Sequence, residues 1–226
     1  MFRHVPNLLT GLRLVLAFVF FAMLSWYQYE GRGDPTFLNV AFVVYLVALL
    51  TDYFDGHLAR KWKVEGTFGR ILDPFVDKVL VLGSFIFFAG KNFIIPDTEV
   101  AAAGQPMVVK TITGVAPAMV VVLLARELLV TSLRGISESS GQNFGAVMAG
   151  KVKMVLQSVT ILIILVYVNY LPWLRDHRAW ELGARIVRDV FIWLTLIVTV
   201  GSSLSYIRRG IALYQAKRDD KTALTK

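Results

Sequence analysis

Residues 52–77 of the chain read DYFDGHLARKWKVEGTFGRILDPFVD, a stretch with a pair of aspartates near each end. The first pair, Asp52 and Asp55, closes a long apolar run that predicts a helix. At about 100° per residue, the pair shares one arc of about 140° with two small residues and a guanidinium. These neighbours are Gly56, Ala59 and Arg60. An ionisable group inside a membrane costs about 2.5–3.5 kcal/mol on the insertion scale, so this face predicts a functional site.

The second pair opens the next apolar run. Gly69, Asp73 and Asp77 follow one another at i, i+4 and i+8, which again places them on one face of a helix. Pro74 is compatible with that helix because it lies near the predicted start. The joint between Arg60 and Gly69 holds eight residues, short enough to make the two helices antiparallel neighbours. The two acidic faces can therefore meet at the boundary of the apolar region.

Four carboxylates in one pocket cannot all ionise unless cations neutralise them. Oxygen ligands suit Mg²⁺ or Mn²⁺, and two adjacent ions are a known device for clamping phosphate oxygens. The residues therefore predict one or two divalent cations, with two as the expected number, at Asp52, Asp55, Asp73 and Asp77. A single aspartate at a helix end is usually a cap or a snorkelling charge, but four on adjacent helices do not fit that interpretation. The small residues on the same faces leave room for a nucleotide or another backbone.

The chain has 226 residues, and its composition predicts a polytopic membrane protein. Apolar residues make up 56% of the chain and charged residues 18%, against about 25% charged residues in typical soluble proteins. The mean hydropathy is +0.59, and a soluble chain of this size could not bury so much apolar surface. These values exclude intrinsic disorder and a collagen-like fibre. Because the chain has no cysteine, they also exclude a disulfide scaffold and a thiolate metal site.

Six apolar stretches are long enough to cross a membrane, since a spanning helix needs about 20 such residues. They are Pro6–Tyr27, Phe37–Arg60, Gly69–Gly90, Gly114–Ile136, Gly150–Tyr170 and Ala184–Ile207. The first stretch is too long for a signal peptide and lacks a clear cleavage site. We therefore predict an all-α membrane protein, with a six-helix transmembrane domain over residues 1–207 and a basic cytoplasmic tail over residues 208–226.

The basic residues indicate which side of the membrane holds the termini. Six spans place both termini on one side, and Lys and Arg cluster in the second and fourth loops and in the tail, which favours the cytoplasm. The fifth loop is also basic and weakens this bias. We attribute most of the net charge of +8 to topology and to anionic membrane lipids, at about 1 kcal/mol per basic residue, and expect no nucleic-acid partner.

The pattern D-x2-D-G-x2-A-R-x8-G-x3-D-x3-D is complete between Asp52 and Asp77 and resembles the signature of the CDP-alcohol phosphotransferase family. Members of this family are integral-membrane enzymes of phospholipid synthesis with a core of six transmembrane helices, usually dimeric. The resemblance implies this fold and a homodimer. It also implies that Asp77 is both a metal ligand and the general base. The residues implied to form the CDP site are Asp52, Gly56, Ala59, Arg60 and Gly69.

Shorter patterns outside the signature resemble the family members that use glycerol 3-phosphate as acceptor. They are Pro6-Asn7-Leu8-Leu9-Thr10-Gly11-Leu12-Arg13, Ala125-Arg126-Glu127 followed by Ser132-Leu133-Arg134, and Gly150-Lys151-Val152-Lys153 followed by Gln157. Met154 stands where threonine is common in the third pattern. The connection Pro96–Thr113 is longer than the resemblance predicts and receives no role.

A dianionic acceptor needs cations, and four basic residues of the fourth and fifth spans can supply them. They are Arg126, Arg134, Lys151 and Lys153. Two alternatives stay open, because Arg126 can instead pair with Glu127 or another helix, and the two lysines can be ordinary snorkelling residues. Arg13 can reach a phosphate or serve topology alone. Lys78 lies about 100° from the face of Asp77 and receives no role.

The resemblance implies an enzyme that transfers the phosphatidyl group of CDP-diacylglycerol to sn-glycerol 3-phosphate with Mg²⁺ or Mn²⁺. Serine, inositol phosphate or phosphatidylglycerol is the alternative acceptor within the family. Outside this activity, a cation transporter is an alternative, since intramembrane carboxylates also line ion paths, and so is a nucleotide-lipid binder without turnover. The expected location is a bacterial inner (plasma) membrane, with the active site and both termini facing the cytoplasm.

Overall fold

The computed structural model consists, over its described residues, of six long α-helices and a small β-ribbon. It describes the backbone of residues 5–29, 31, 33–62, 67–96, 109–139 and 148–224, and the side chains of residues 8–29, 31, 33–52, 75–94, 111–137, 150, 152–208, 210 and 211. The helices are α1 (Val5–Trp26), α2 (Pro35–Trp62), α3 (Thr67–Phe88), α4 (Pro117–Ser139), α5 (Met148–Arg175) and α6 (Arg178–Leu224). Between α3 and α4 lie a 3₁₀ turn (Lys91–Phe93) and the strands β1 (Ile94–Pro96) and β2 (Val109–Thr111). The all-α prediction is confirmed, with the ribbon as an addition.

Local capping supports the apolar helices. At the start of α2, Pro35 is the first helical residue, where its missing N–H is harmless. Asp34 Oδ1 accepts a 2.8 Å hydrogen bond from the backbone N–H of Thr36 and so caps the helix. Inside α3, the Ser84 hydroxyl donates to the Leu80 carbonyl oxygen at 2.6 Å. This buried hydroxyl therefore needs no partner from another helix.

The helices pack as two groups that meet along α2 and α3. In one group α1 lies against α2 and α3, and in the other α6 lies against α4 and α5. The groups join where α2 contacts α5 and where α3 contacts α4 and α5. Large side chains fill the core, among them Phe20, Tyr45, Phe85, Ile161 and Ile164. This packing gives the polar residues on the inward faces defined neighbours.

A glycine lets α1 and α3 approach closely. A Cβ built on Gly83 would lie 2.8 Å from Cε1 of Phe21, well inside van der Waals contact. The Phe21 ring is itself held in place, because it stacks on Phe87 with 5.5 Å between the ring centroids. Along their helices, Phe21 lies about two turns from Arg13, and Gly83 lies less than two turns from Asp77. The close approach therefore helps to bring these two charged residues together.

Four helices are long and apolar enough, over their described residues, to cross a membrane. The segments are Leu8–Trp26, Pro35–Asp52, Val152–Arg175 and Arg178–Arg208. They correspond to the predicted first, second, fifth and sixth spans. The predicted third and fourth spans correspond to α3, whose side chains are described from Phe75 onward, and to α4, which carries Arg126, Glu127 and Arg134. The count of six spans stays a prediction.

The bundle has two distinct ends. At the α2–α3 end, α2 and α4 finish and α3 and α5 begin. At the opposite end, called the ribbon end, β1 pairs antiparallel with β2, and Ile95 lies opposite Lys110. The Thr113 hydroxyl ties this end to α3 by donating to the Phe88 carbonyl oxygen at 2.7 Å. Residues 97–108 of the connection that received no role lie outside the described residues.

A buried arginine holds the ribbon end together. Arg188 Nη1 donates to the carbonyl oxygen of Ile112 at 2.5 Å, and its Nε and Nη2 donate to Asp189 Oδ1 at 2.8 and 2.6 Å. The guanidinium also lies 4.4 Å from the ring centroid of Tyr167. Gly114, which has a φ of 74°, passes so close that a Cβ there would lie 3.0 Å from Arg188 Nε. Each guanidinium nitrogen of Arg188 therefore has a partner within the chain.

Candidate active site

Three helices bring charged side chains together at the α2–α3 end. Arg13 of α1 is 1% exposed, and its Nη1 donates to Oδ1 of Asp52 on α2 and to Oδ1 of Asp77 on α3. Both carboxylates are partly exposed, so they face a space that solvent can enter. The first and the last aspartate of the predicted metal set therefore converge on one atom of the same arginine.

The other residues of the signature lie on the same two helices. Asp55, Gly56, Ala59 and Arg60 belong to α2, and Gly69 and Asp73 belong to α3. Their side-chain surroundings lie outside the described residues, so their roles toward metal and nucleotide stay predictions. The helical backbone places Asp55 about one turn from Asp52, and Asp73 about one turn from Asp77.

The arrangement of the two aspartates fits a divalent cation. Arg13 Nη1 is a single positively charged group in contact with carboxylates from two helices, so Asp52 and Asp77 can share one positive centre. Carboxylate oxygens are the ligands that Mg²⁺ and Mn²⁺ prefer. Among the residues with described side chains, no set of three acidic or histidine residues converges. The remaining candidate ligands, Asp55 and Asp73, fall outside that part of the chain.

A second charged group, called the basic cluster, consists of Arg126, Glu127, Lys153 and Ser202 and joins α4, α5 and α6. Glu127 Oε1 accepts hydrogen bonds from Arg126 Nη1, at 2.9 Å, and from Lys153 Nζ. Arg126 Nη2 donates to Ser202 Oγ at 3.0 Å, and the guanidinium lies 5.7 Å from the ring centroid of Tyr206. All four members are buried. Two cations share one carboxylate oxygen, so the basic cluster carries one positive charge in excess.

The structure brings together two of the four predicted acceptor-binding residues. Arg126 and Lys153 meet at Glu127, which agrees with the alternative that Arg126 forms an ion pair. Arg134 lies about two turns further along α4, and its side chain is exposed. Lys151 belongs to α5, but its side chain lies outside the described residues. The pairing with Glu127 holds Arg126 and Lys153 in place and still leaves net positive charge for an anionic ligand.

Lys78 links the acidic residues to α4, although the sequence pattern assigned it no role. Its Nζ donates to Thr131 Oγ1 at 2.9 Å. Lys78 lies about 100° around α3 from Asp77, and this rotation directs its side chain toward α4. The bond ties the turn of α3 that carries Asp77 to the helix that carries Arg126 and Glu127. The acidic and basic groups are therefore held at one end of the same bundle.

Some of these residues give little signal in the sequence. Ser202 and Tyr206 lie four residues apart on one face of α6, but a serine and a tyrosine at that spacing do not indicate a partner. Arg13 does give a signal, since a charged residue inside an apolar run is costly. Glu127 gives a signal in the same way, because it is an acid in the middle of the predicted fourth span, where the sequence already offers it as a partner of Arg126.

Comparisons with known proteins identify the family of the chain. The profile of the CDP-alcohol phosphatidyltransferase family matches residues 3–201. A protein of Bacillus subtilis (strain 168) named CDP-diacylglycerol–glycerol-3-phosphate 3-phosphatidyltransferase is 27% identical over 213 residues, which cover 92% of this chain and 95% of the relative. A protein of that name from Cereibacter sphaeroides is 30% identical over 186 residues, 81% of this chain and 74% of the relative. Another, from Yersinia enterocolitica, is 26% identical over 206 residues, 90% and 93%.

The matched region contains most of the candidate site. It includes Arg13, Asp52 and Asp77, and it includes every member of the basic cluster except Ser202. Enzymes of the matched family generally depend on a divalent metal, in keeping with the convergence of the two aspartates. The apolar helices agree with an integral membrane protein. The chain therefore belongs to the CDP-alcohol phosphatidyltransferase family of membrane enzymes in phospholipid biosynthesis.

Proposed function

We propose that the protein is a phosphatidylglycerophosphate synthase, which transfers the phosphatidyl group of CDP-diacylglycerol to sn-glycerol 3-phosphate and releases CMP. The observation that carries the proposal is the convergence of Asp52 and Asp77 on one positive group, at the same end of the bundle as the basic cluster. The acidic pair suits a diphosphate held through metal, and the basic cluster suits a phosphorylated acceptor. The names of the relatives support glycerol 3-phosphate as that acceptor.

The reaction is a substitution at phosphorus. The acceptor hydroxyl forms a new P–O bond to the phosphorus atom that carries diacylglycerol, and the P–O bond between that atom and CMP breaks. CMP leaves with the electron pair of the broken bond, and Asp77 accepts the proton of the attacking hydroxyl. General-base catalysis of this kind contributes about 10²–10⁴-fold. Positioning and charge neutralisation supply the remaining acceleration.

Asp52 and Asp77, together with Asp55 and Asp73, would hold Mg²⁺ or Mn²⁺, with two ions as the proposed number. When bound, such ions neutralise the diphosphate and stabilise the departing CMP. In the free enzyme, Arg13 reduces the repulsion between Asp52 and Asp77 because its guanidinium contacts both. The residues proposed for the nucleotide are Asp52, Gly56, Ala59, Arg60 and Gly69.

The basic cluster is proposed to bind the phosphate of the acceptor. Arg126 and Lys153 carry two positive charges against the single negative charge of Glu127. A dianionic phosphate would neutralise this excess, whereas serine has no phosphate to do so. Arg134 and Lys151 are proposed to extend the same positive surface toward the end of the bundle. The balance of charge therefore favours a phosphorylated acceptor.

We place the α2–α3 end at the cytoplasmic face of a bacterial inner membrane. In this arrangement α3 and α4 also cross the bilayer, which gives six spans and puts both termini in the cytoplasm. The acyl chains of CDP-diacylglycerol remain in lipid while its headgroup reaches the site. The basic residues beyond residue 207 would lie near anionic lipids. As in the family generally, the proposed oligomer is a homodimer.

An acceptor panel tests the proposed function. Purified protein with CDP-diacylglycerol and Mg²⁺ or Mn²⁺ should release CMP with glycerol 3-phosphate, and not with serine, inositol phosphate or phosphatidylglycerol. A chelator should abolish the release, and either ion should restore it. CMP release with one of the other acceptors alone would overturn the acceptor assignment. Cation flux into vesicles without any CMP release would instead support the transporter alternative.

A further inference from the structure

Gln157 is a buried amide whose Nε2 donor is unpaired among the described residues. Its side chain is 2% exposed, and its Nε2 meets no hydrogen-bond acceptor among the described residues. Burying a polar group without a hydrogen bond is costly, and native structures contain few such groups. An unpaired buried donor of this kind therefore marks a place where a ligand can supply the missing acceptor.

The position of Gln157 directs it toward the inside of the bundle. It lies about one turn from Lys153 on α5 and about 40° from it around the helix. Thr160 lies about 20° from Lys153, on the side opposite to Gln157. It faces α6, where its Oγ1 lies 2.8 Å from a threonine hydroxyl. Ser158 lies about 140° from Lys153, on the same side as Gln157. It faces α2, where it lies beside the Tyr45 hydroxyl. Gln157 lies between these two directions, so its amide faces the interior on the same side as Lys153.

A second unpaired donor belongs to the basic cluster. Arg126 uses Nη1 and Nη2 to bind Glu127 and Ser202, but its Nε is buried and has no partner among the described residues. Lys153 connects the two donors, since its Nζ contacts Glu127 and Gln157 lies one turn along the same helix. The region thus combines excess positive charge with two unpaired N–H donors. A ligand that fits it carries an anionic group and further oxygen acceptors.

We propose that Gln157 is a specificity-determining residue that hydrogen-bonds the secondary hydroxyl of the acceptor. The inference rests on the proposed function and names one further contact of that site. The basic cluster holds the phosphate, the primary hydroxyl attacks phosphorus, and the secondary hydroxyl needs a neutral partner inside the bundle. The unpaired Nε2 of Gln157 is suited to this hydroxyl because it can donate a hydrogen bond to the hydroxyl oxygen. A site built around such a hydroxyl discriminates against an analogue that lacks it.

The acceptor analogue 3-hydroxypropyl phosphate tests this contact. It keeps the primary hydroxyl and the phosphate but has no secondary hydroxyl. In the wild-type enzyme, we expect kcat/KM to be about 10- to 100-fold higher for glycerol 3-phosphate than for the analogue. Gln157→Met should raise KM for glycerol 3-phosphate and reduce this preference to about threefold or less, while kcat/KM for the analogue stays within about threefold of wild type. Equal losses with both acceptors would show a merely structural role and overturn the proposal.

Asn169→Leu is the matched control. Asn169 is a second buried amide of α5, but it lies toward the ribbon end, where its Nδ2 donates to Asn39 Oδ1 at 2.7 Å. This variant should keep the wild-type preference between the two acceptors even if less protein folds, because the amount of active enzyme cancels in the ratio of the two kcat/KM values. Loss of the preference in Asn169→Leu would also overturn the role assigned to Gln157.

A second variant covers the case in which Gln157→Met does not fold. Gln157→Asn keeps the amide but withdraws it by one methylene, so the preference should fall below that of the wild type. An unchanged preference in this folded variant would overturn the proposal. A wild-type enzyme that uses glycerol 3-phosphate without preferring it to the analogue would overturn the role of Gln157 alone. A wild-type enzyme that uses neither phosphorylated acceptor would overturn the proposed function itself.

Discussion

The two ends of the bundle each bury an arginine, but they satisfy its charge differently. At the ribbon end, every guanidinium nitrogen of Arg188 has a partner within the chain. At the α2–α3 end, one nitrogen of Arg13 serves two carboxylates, and one oxygen of Glu127 serves two cations. Arg126 keeps a buried Nε without a described partner. Under the proposed function, this difference separates a charge that stabilises the fold from charges that are arranged for a ligand.

The largest expected effect is that of Asp77→Asn. The amide cannot accept the proton of the attacking hydroxyl, so CMP release should fall by about 10²–10⁴-fold. The asparagine side chain has nearly the same shape as aspartate, and Arg13 keeps its contact with Asp52, so the protein should remain folded. Initial rates of CMP release, with thermal unfolding in detergent as the check on folding, measure both quantities.

Asp189→Asn is the control for Asp77→Asn because it makes the same chemical change at the ribbon end. We expect it to retain CMP release within about threefold of wild type, since Asp189 contacts Arg188 and lies far from the acidic pair. If the two variants lost activity equally, the functional distinction between the ends would be wrong.

Arg188→Met should destabilise the protein without changing its kinetics. The substitution removes the bonds to Ile112 and Asp189, and we expect a loss of about 2–4 kcal/mol in the free energy of unfolding. Water can solvate part of the exposed Asp189 carboxylate, which places the loss at the lower end of that range. Denaturant unfolding in detergent gives the stability, and KM for each substrate should equal the wild-type value. A raised KM with unchanged stability would contradict the structural role.

Gly83→Ala tests whether close packing of α1 on α3 positions Arg13 and Asp77. The new methyl group would overlap the Phe21 ring, and we expect a loss of about 1–3 kcal/mol together with reduced CMP release. Adding Phe21→Ala should recover part of both losses, because it removes the overlapping ring. Gly135→Ala is the control, since a Cβ there meets no atom within 4 Å. Equal effects of the two alanines would rule out the packing explanation.

The smallest expected effect is the coupling between Asn39 and Asn169. Hydrogen bonds between membrane helices contribute about 0.6 kcal/mol on average in double-mutant cycles. The single variants Asn39→Leu and Asn169→Leu and the double variant should therefore show a coupling energy of about that size in unfolding experiments. A coupling several times larger would mean that this pair belongs with Arg188 among the main stabilising contacts.

The pattern of the sequence was sufficient to predict the helices and the convergence of Asp52 and Asp77. Polar residues at helical spacing stand out from an apolar background, so the positions of Asp52 and Asp77 on neighbouring helices could be inferred from spacing alone. The helix that contains the predicted sixth span is longer than that span, since α6 continues to Leu224 through most of the segment predicted as a basic tail. A basic composition marks that segment as polar but does not by itself end a helix.

The partners across helices could not be predicted, because they depend on how the helices are rotated and how closely they pack. Ser202 bonds to Arg126 across 76 residues, and Lys78 bonds to Thr131 across 53. No periodicity connects such pairs. The contact of Gly83 with Phe21 sets the approach of α1 and α3, yet a glycine in an apolar helix has many possible explanations.

The two contacts of α6 have a mechanical consequence. Arg188 fastens the helix to the ribbon end, and Ser202, 14 residues further on, fastens it to Arg126, about 21 Å away along the helix axis. A helix pinned at both points can tilt or bend slightly. It cannot slide like a piston by one turn, about 5.4 Å, without breaking both contacts at once. We therefore expect α6 to keep its axial position relative to α4 and to the ribbon end.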